Sequence, residues 1–351
     1  MRMSPLPKVS VVTAVYNGGK YLEETLRSIL DQTFDDFEYV LVDDGSTDNS
    51  VEIIRSIGDP RIRLFVNDQN RRLVYTRNRG IAEARGEFIA LTDHDDISLP
   101  TRFAEQVRCL DANPAYGLVA TWYDYINLTG VPVRKRAYRR YAPEECKVSL
   151  LYRNLYGNST LMIRRTALPD PPYAPEFPLC EDYDFIAQVA KKHPIWMLPE
   201  VLVKYRLTTG SYSNFVGKPT FDLARVLKRR LLVEMGVEPT ERELDLHHSL
   251  ETNHEEVDLD MLREMRIWLE RLVAANERSR VYEPRAFAAI TGNEWFELCR
   301  AASWLGSAIW PLYHSSSLAP VSHYGHADRL KLFVKCVLGN ARRAYAAAVH
   351  S

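Results

Sequence analysis

Asp93 and Asp95 stand two residues apart in the run Thr92-Asp-His-Asp-Asp-Ile97, directly after the apolar stretch Glu87–Thr92. In extended backbone, residues i and i+2 project to the same side, so both carboxylates would face one surface. Asp96 adjoins them, and a second acidic pair, Asp43-Asp44, ends another apolar stretch. Two like charges ~4 Å apart repel by ~4 kcal/mol at an effective dielectric of ~20. A further anion, such as a diphosphate, could not join such a rim unaided. A divalent cation resolves the conflict, because hard carboxylate oxygens suit Mg²⁺ or Mn²⁺. The ion can also hold a diphosphate and neutralise its charge as the bond to it breaks. Taken alone, Asp-x-Asp-Asp is as often a polar turn or a helix cap. Its place in the fold decides between these readings.

The elements that must position it alternate. Val9–Val15 is β-branched and ends at the turn Tyr16-Asn-Gly-Gly. Tyr21–Leu30 has helical spacing, with Leu22, Leu26 and Ile29 on one face. Phe37–Val42 predicts a buried strand, Thr47–Ile57 a helix, Arg61–Val66 a short strand, Arg72–Arg85 a helix and Glu87–Thr92 a strand. Such alternation predicts an α/β fold, a mostly parallel sheet sandwiched by helices. In these sheets ligands sit beyond the carboxyl ends of the strands. Tyr16-Asn17, Asp43-Asp44 and Asp93–Asp96 all fall at such ends.

The second stretch, about Pro100–Arg206, is mixed. It predicts helices over Pro100–Leu110 and Glu181–Lys192, and strands over Gly117–Tyr125, Ser159–Arg164 and Val201–Arg206. Gly130–Tyr141 reads as an exposed loop or hairpin carrying Arg134, Lys135, Arg136, Arg139 and Arg140. From about Phe215 strand signals vanish and charged helices follow, with Met261, Met265, Trp268 and Leu272 recurring on one face. The expected organisation is a catalytic domain over 1–214 and a C-terminal α-helical appendage over 215–351. Within the first, 8–100 would bind the donor and 101–214 would face the acceptor.

Composition bounds the rest. The 351 residues carry 45 Lys plus Arg against 46 Asp plus Glu, so no global charge draws nucleic acid. Hydrophobic residues make up 46% and charged residues 26%, as in ordinary globular proteins. The start, Met1–Ser10, shows no signal-peptide core, and no apolar run is long enough to span a bilayer. The five cysteines are scattered, which argues against a disulfide framework or a structural zinc site. A cytoplasmic setting is expected. Asn127-Leu-Thr and Asn158-Ser-Thr match the glycosylation pattern and are read as chance.

Four blocks together resemble the family 2 glycosyltransferases, inverting enzymes with the A-type nucleotide-diphospho-sugar transferase fold. They are Val9–Asn17 with Tyr21-Leu22 and Ser28–Thr33; Val42–Asp48; Thr76–Gly80 through Ala84–Phe88 to Thr92–Ile97, with Pro100, Arg102 and Gln106; and Glu181–Phe185, with Leu198-Pro-Glu200 and Val203–Arg206. They run in order over about residues 8–213. The resemblance implies transfer of a sugar from a nucleotide-diphosphate donor to an acceptor hydroxyl. Tyr16 and Asn17 would line the nucleotide pocket. Asp44 would meet the N–H edge of uracil or thymine, which implies a UDP- or dTDP-sugar. Arg77 would approach the diphosphate, Asp93 would hold the ribose or a metal-bound water, and Asp95 would ligate Mg²⁺ or Mn²⁺. Asp182 would be the catalytic base, since direct displacement needs the attacking hydroxyl deprotonated. The family often has a His two residues after the Tyr-Arg of the last block. Here Leu207-Thr208 follows Tyr205-Arg206, which leaves Arg206 to compensate.

Two other readings stay open: a non-catalytic module that retains the nucleotide pocket, and a phosphotransferase with Asp93 as nucleophile. Against the latter, that Asp usually follows the first strand of its domain. No G-x-G-x-x-G or G-x-x-x-x-G-K-[ST] is present. By analogy the acceptor is a glycan or a lipid-linked oligosaccharide of the cell surface. The Arg134–Arg140 run and the basic, apolar segment Arg329–Ala348 allow peripheral contact with the cytoplasmic membrane face. The helical region allows homo-oligomerisation, although the Met261–Leu272 stripe is expected to pack within its own domain. His247, His248 and His254, and His314, His323 and His326, are read as solvated surface.

Overall fold

The structure, a computed structural model, describes residues 6–134, 138–208, 218–251 and 257–349. Contacts divide the chain into two compact units. The first is Met1–Cys146 with Leu155–Leu223, and the second is Lys147–Asn154 with Ala224–Ser351. The expected boundary near residue 215 lies outside the described residues.

In the first unit, β1 (Val9–Val15), β2 (Phe37–Asp43), β3 (Ile62–Val66) and β4 (Phe88–Leu91) run parallel in the order β3-β2-β1-β4. β2 is buried throughout, and so is β1 except for Ala14, hence their mostly apolar sequences, with Ser10, Thr13, Glu38 and Asp43 as buried polar exceptions. Helices α1 (Leu22–Leu30), α2 (Ser50–Ile57) and α3 (Leu73–Glu83) connect them. α3 comes close to the sheet at Gly80, where an added Cβ would lie 2.5 Å from Val12 Cγ1. The core on one face gathers Val9, Val11, Leu22, Leu26, Tyr39, Leu41, Phe88 and Phe103.

Beyond β4 the sheet changes direction. β5 is Ile97–Ser98, β6 Leu118–Ile126, β7 Pro132–Arg134, β8 Met162–Arg164 and β9 Ile195–Arg206. β8 pairs antiparallel with both β4 and β6, β9 runs parallel to β6, and β5 closes the edge antiparallel to β9. β9 has 12 residues, about twice the expected strand. Its register with β6 shifts where Pro199 and Glu200 intervene between Leu198 and Val201. Proline cannot donate to the ladder, so the sequence shows only the piece after it, Val201–Arg206, instead of one long strand. Helices α4 (Arg102–Ala112) and α6 (Glu181–Lys192) complete this half, and α5 (Pro143–Tyr152) begins in the first unit and continues into the second. α5 was not expected. Cys146, Val148, Leu150, Leu151 and Tyr152 are all buried, so its apolar residues surround the helix and leave no 3.6-residue period.

The second unit is helical: α7 (Lys218–Glu234), α8 (Glu241–Ser249), α9 (Leu259–Ser279), α10 (Pro284–Ala301), α11 (Ile309–His314) and α12 (His326–Val349). Its helix starts are specified locally. Thr240 and Glu243 form a capping box, Asp258 caps α9, and Glu283 caps α10 ahead of Pro284. Met265, Trp268 and Leu272 are buried in the unit's own core. Among the described residues no helix is long and apolar enough to cross a membrane. Of the basic run, Arg140 is exposed, while Lys135 and Arg136 lie outside the described residues.

His314, His323 and His326 are exposed, and His254 lies outside the described residues. His247 is not solvated surface: it is fully buried. Its Nδ1 accepts the indole N–H of Trp268 at 3.2 Å, so Nε2 donates to the Leu151 carbonyl at 2.8 Å. Burial, with Lys228 nearby, lowers its pKa to about 3. A neutral buried imidazole favours folding above the unfolded pKa of 6.5, and that contribution is lost as pH falls from 6.5 towards 3. At pH 5 the loss is about 2 kcal/mol. His247→Gln keeps a donor for Leu151 and removes the titration. Urea denaturation at pH 7 and pH 5 should show a smaller acid loss in the variant by about that amount; equal losses would rule the explanation out.

Candidate active site

β2, β1 and β4 lie side by side and point the same way, so the three expected polar groups share one edge of the sheet. Tyr16, just past β1, is exposed at this edge. Asn17 adopts a left-handed φ of 50°, which asparagine tolerates. Its N–H donates to Ser46 Oγ at 2.9 Å and its Oδ1 accepts the Thr47 N–H at 2.9 Å, tying the loop after β1 to the loop after β2. Asp44 is buried beside it. Asp44 Oδ1 accepts from Asn67 Nδ2 at 2.6 Å and from the Arg71 N–H at 2.8 Å. Gly45 follows with φ 69°, and an added Cβ there would lie 2.8 Å from the Gln69 backbone, so glycine lets the chain turn under the carboxylate.

The loop after β4 carries the aspartates and is held from four sides. Asp93 N–H donates to Ser159 Oγ at 2.9 Å. Thr25 Oγ1 donates to the carbonyls of His94 at 3.0 Å and Asp96 at 2.9 Å. Arg206 N–H donates to Asp96 Oδ1 at 2.8 Å, and its side chain reaches the Asp95 carbonyl at 2.9 Å and the Glu24 carboxylate. Buried Arg102 anchors the end of β4 through the Leu91 carbonyl at 2.8 Å. Burial and the neighbouring Asp93 raise the Asp95 pKa, against the pull of His94. Burial, then Asp95 and Asp93, push Asp96 well above the ordinary carboxylate range. Asp96 Oδ2 and Asp43 Oδ1 are buried and accept no hydrogen bond. The loop therefore crowds carboxylate oxygens whose charge is not fully balanced.

Arg77, on α3, joins this loop to α6. Its Nη2 donates to Asp93 Oδ1 and its Nη1 to Glu181 Oε1, both at 2.6 Å. Burial works against its charge, but Asp93, Tyr173 and Glu181 outweigh burial and the pKa is raised. Burial raises Glu181 to about 7, with Arg77 opposing. Asp182 follows on the first turn of α6, where acids complement the helix dipole. Burial raises its pKa, offset in part by Arg77, and its Oδ1 accepts the Tyr183 N–H at 2.7 Å. Thr76, the residue before Arg77, accepts from Asn67 Nδ2 at 3.1 Å, and the same amide reaches Asp44. One hydrogen-bonded chain thus runs from Asp44 through α3 to Asp93 and Glu181.

Several partners escaped the sequence reading. Asn158 Nδ2 donates to Asp93 Oδ1 at 2.9 Å, and Tyr173 OH donates to Asn158 Oδ1 at 2.8 Å. Asn158-Ser159-Thr160 is buried and supports Asp93, which gives the sequon-like triplet a structural reason. Gln106 Nε2 binds the carbonyls of Val119 and Thr160, and Gln32 binds the Leu99 carbonyl and the Phe103 N–H. The family-like Gln32, Arg102 and Gln106 are clamps on backbone behind the site.

Arg77→Met should leave Glu181 and Asp93 buried without their cation. Removing one partner of a buried ion pair costs about 3–5 kcal/mol. Urea unfolding should show that loss, whereas a loss below about 1 kcal/mol would mean that the bridge is solvated.

The family model described as Glycosyl transferase family 2 matches residues 10–169. An uncharacterized glycosyltransferase of Methanocaldococcus jannaschii is 32% identical over 206 residues, which cover 57% of this chain and 71% of the relative. The glycosyltransferase GlyG of Streptococcus pneumoniae is 39% identical over 122 residues, 33% of this chain and 40% of GlyG. The crystal structure of S. aureus TarS 1-349 in complex with UDP-GlcNAc superposes with a TM-score of 0.56 at 18% identity, covering 88% of this chain and 91% of that chain. The shared fold is the A-type glycosyltransferase sheet with a helical C-terminal region. With the strand-end aspartates in place and a relative so similar over most of its length, the chain belongs to the family 2 glycosyltransferases.

Proposed function

We propose that this glycosyltransferase takes its sugar from a UDP- or dTDP-sugar and passes it, with inversion, to a hydroxyl of a glycan or lipid-linked acceptor. The observation that carries the proposal is the chain of contacts from Asp44 to Asp93 and Glu181, beside Asp182. It links residues suited to the base, the ribose and the acceptor proton. Asp44 Oδ1 is occupied, and Oδ2 is left to accept the N–H of uracil or thymine. Tyr16 and Asn17 would flank that pocket. TarS, with the same fold, binds UDP-GlcNAc, which supports a uridine donor.

The donor set also fits Mg²⁺ or Mn²⁺. Asp96 Oδ2 is an orphaned buried carboxylate oxygen, and Asp95 beside it has a raised pKa. Among the described residues no three His, Cys, Asp or Glu side chains form a metal cage. Mg²⁺ is commonly held by one or two carboxylates together with substrate phosphates, and Asp95 with Asp93 matches that pattern. Bound there, the ion would neutralise the departing diphosphate. Arg77 is occupied by two carboxylates, so its role in this reading is to hold Asp93 for the ribose or a metal-bound water. Arg206 holds the aspartate loop.

In the transfer, Asp182 takes the proton of the acceptor hydroxyl as its oxygen bonds to the anomeric carbon. The bond from that carbon to the diphosphate oxygen breaks. A base works best with a pKa near the working pH, and burial moves Asp182 in that direction. Cell-surface polysaccharide or glycolipid synthesis at the cytoplasmic face is the setting we infer.

Two measurements bear on this. UDP or dTDP at ~100 times its dissociation constant should stabilise the protein by ~2.7 kcal/mol with Mn²⁺ present. Asp95→Asn should remove the metal-dependent part of that gain. A thermal-shift panel of UDP, dTDP, GDP and CMP without any response would overturn the donor assignment. Asp182→Asn should lower kcat by about 10²–10⁴ with donor affinity unchanged. Retained turnover would move the base elsewhere.

A further inference from the structure

We infer that α12 is an interfacial helix that docks the second unit on an anionic lipid surface. The inference does not depend on the donor or metal assignments. One side of α12 is packed: Leu332, Cys336 and Gly339 are buried. At Gly339 an added Cβ would lie 2.4 Å from the Ser303 carbonyl oxygen, so the helix rests directly on the turn Ala302–Leu305. The other side is apolar and largely exposed, with Phe333 packed edge-on against Trp310 at 5.2 Å between ring centroids. Leu330 is 62% exposed, Phe333 40%, Val334 45%, Val337 48% and Leu338 58%. These positions recur at three- and four-residue spacing, so they form one continuous stripe along the outward face.

The charge around the stripe selects the occupant. The whole chain has a formal charge of -1, yet α12 holds Arg329, Lys331, Lys335, Arg342 and Arg343 against a single acid, Asp328. Arg329 is half-buried on the Tyr324 and Ala319 carbonyls, so Lys331 and Lys335 are the cations placed beside the stripe. At about 100° per residue, Lys331 and Lys335 follow Leu338 around the helix and border the stripe. Both are exposed. Lys331 reaches Asp328 at 3.2 Å, an exposed pair that offsets little of its charge. Long basic side chains beside an apolar stripe can bury their stems while their heads meet lipid phosphates. A second copy of α12 would bring cations against cations, so a like-charged helix is a poor partner. An anionic bilayer satisfies both the stripe and its border. The helix cannot span that bilayer, so it lies in the interface plane.

Vesicle flotation of the full chain tests this. The protein should float with vesicles of phosphatidylcholine containing about 30% phosphatidylglycerol, less so in high salt, and hardly with phosphatidylcholine alone. Val334→Glu with Leu338→Glu should abolish flotation without lowering the melting temperature, since both side chains are exposed. Lys331→Gln with Lys335→Gln should weaken it on the order of twenty-fold. Should the first pair disturb folding, the second pair carries the test alone. Failure to float on anionic vesicles overturns the inference, as does flotation unchanged in both paired variants. A dimer in sedimentation, lost in Val334→Glu with Leu338→Glu and unaccompanied by flotation, would assign the stripe to a second copy instead.

Discussion

Arg77 holds two carboxylates that arrive from distant parts of the chain, and it does so almost out of reach of water. Asp93 comes from the loop after β4, Glu181 from the start of α6, and Arg77 itself from α3. A buried guanidinium is tolerable only when its charge is answered, and its planar fork answers two carboxylates at once. The site's geometry follows from that demand. α3 must lie close to the sheet, which Gly80 permits by leaving room for Val12. α6 must present its first turn, and its acids, towards Arg77. The loop after β4 must stay extended enough for Asp93 to reach inward, and Asn158 and Ser159 hold it there.

The parallel half of the sheet could be read from the sequence because β1, β2 and β4 are buried, so they appear as short, mostly apolar runs. Errors there were small and local. The second helix begins at Ser50 and not Thr47, because the Asp48 carboxylate takes the Ser50 N–H and hydroxyl and holds a turn in front of it. The mixed half was harder. β9 was half seen, since Pro199 breaks its pattern. β5 has two residues, too few for any period to show. In α5 the polar Glu144, Glu145, Lys147 and Ser149 alternate around the helix with buried apolar residues, so no single apolar face shows in the sequence. His247 failed for a related reason: a polar residue in a charged helix looks solvated until its Trp268 and Leu151 partners are known.

In the site, residue types were visible and partners were not. Asp93 and Asp95 drew attention because acids crowded at a strand end repel one another, and Asp44 and Asp182 because they match positions of the family blocks. Asn67, Asn158 and Tyr173 did not, because nothing in an isolated Asn or Tyr says that it faces a carboxylate. Arg77 was noticed for its charge, but its two partners lie 16 and 104 residues away in sequence. Arg206 was expected to meet ligand. Its side chain serves the Asp95 carbonyl and Glu24, so it shapes the loop that carries the aspartates.

Cations are distributed unevenly among the carboxylates around that loop. Glu181 and Asp93 share Arg77 directly, and each contact is short. Asp95 and Asp96 have no such partner. Arg102 is near enough for Asp96 to affect it, but burial lowers the Arg102 pKa to about 9 and its donors go to backbone carbonyls and to side-chain oxygens of Ser98 and Gln106. Arg206 offers Asp96 only its backbone N–H. Burial without a paired cation leaves a carboxylate two ways to lower its energy: take up a proton, or gain a cation from outside. The raised pKa values of Asp95 and Asp96 are the first of these. On the proposed reading the second replaces it. Proton and metal must then compete for the same oxygens, so acid should weaken donor binding through Asp95.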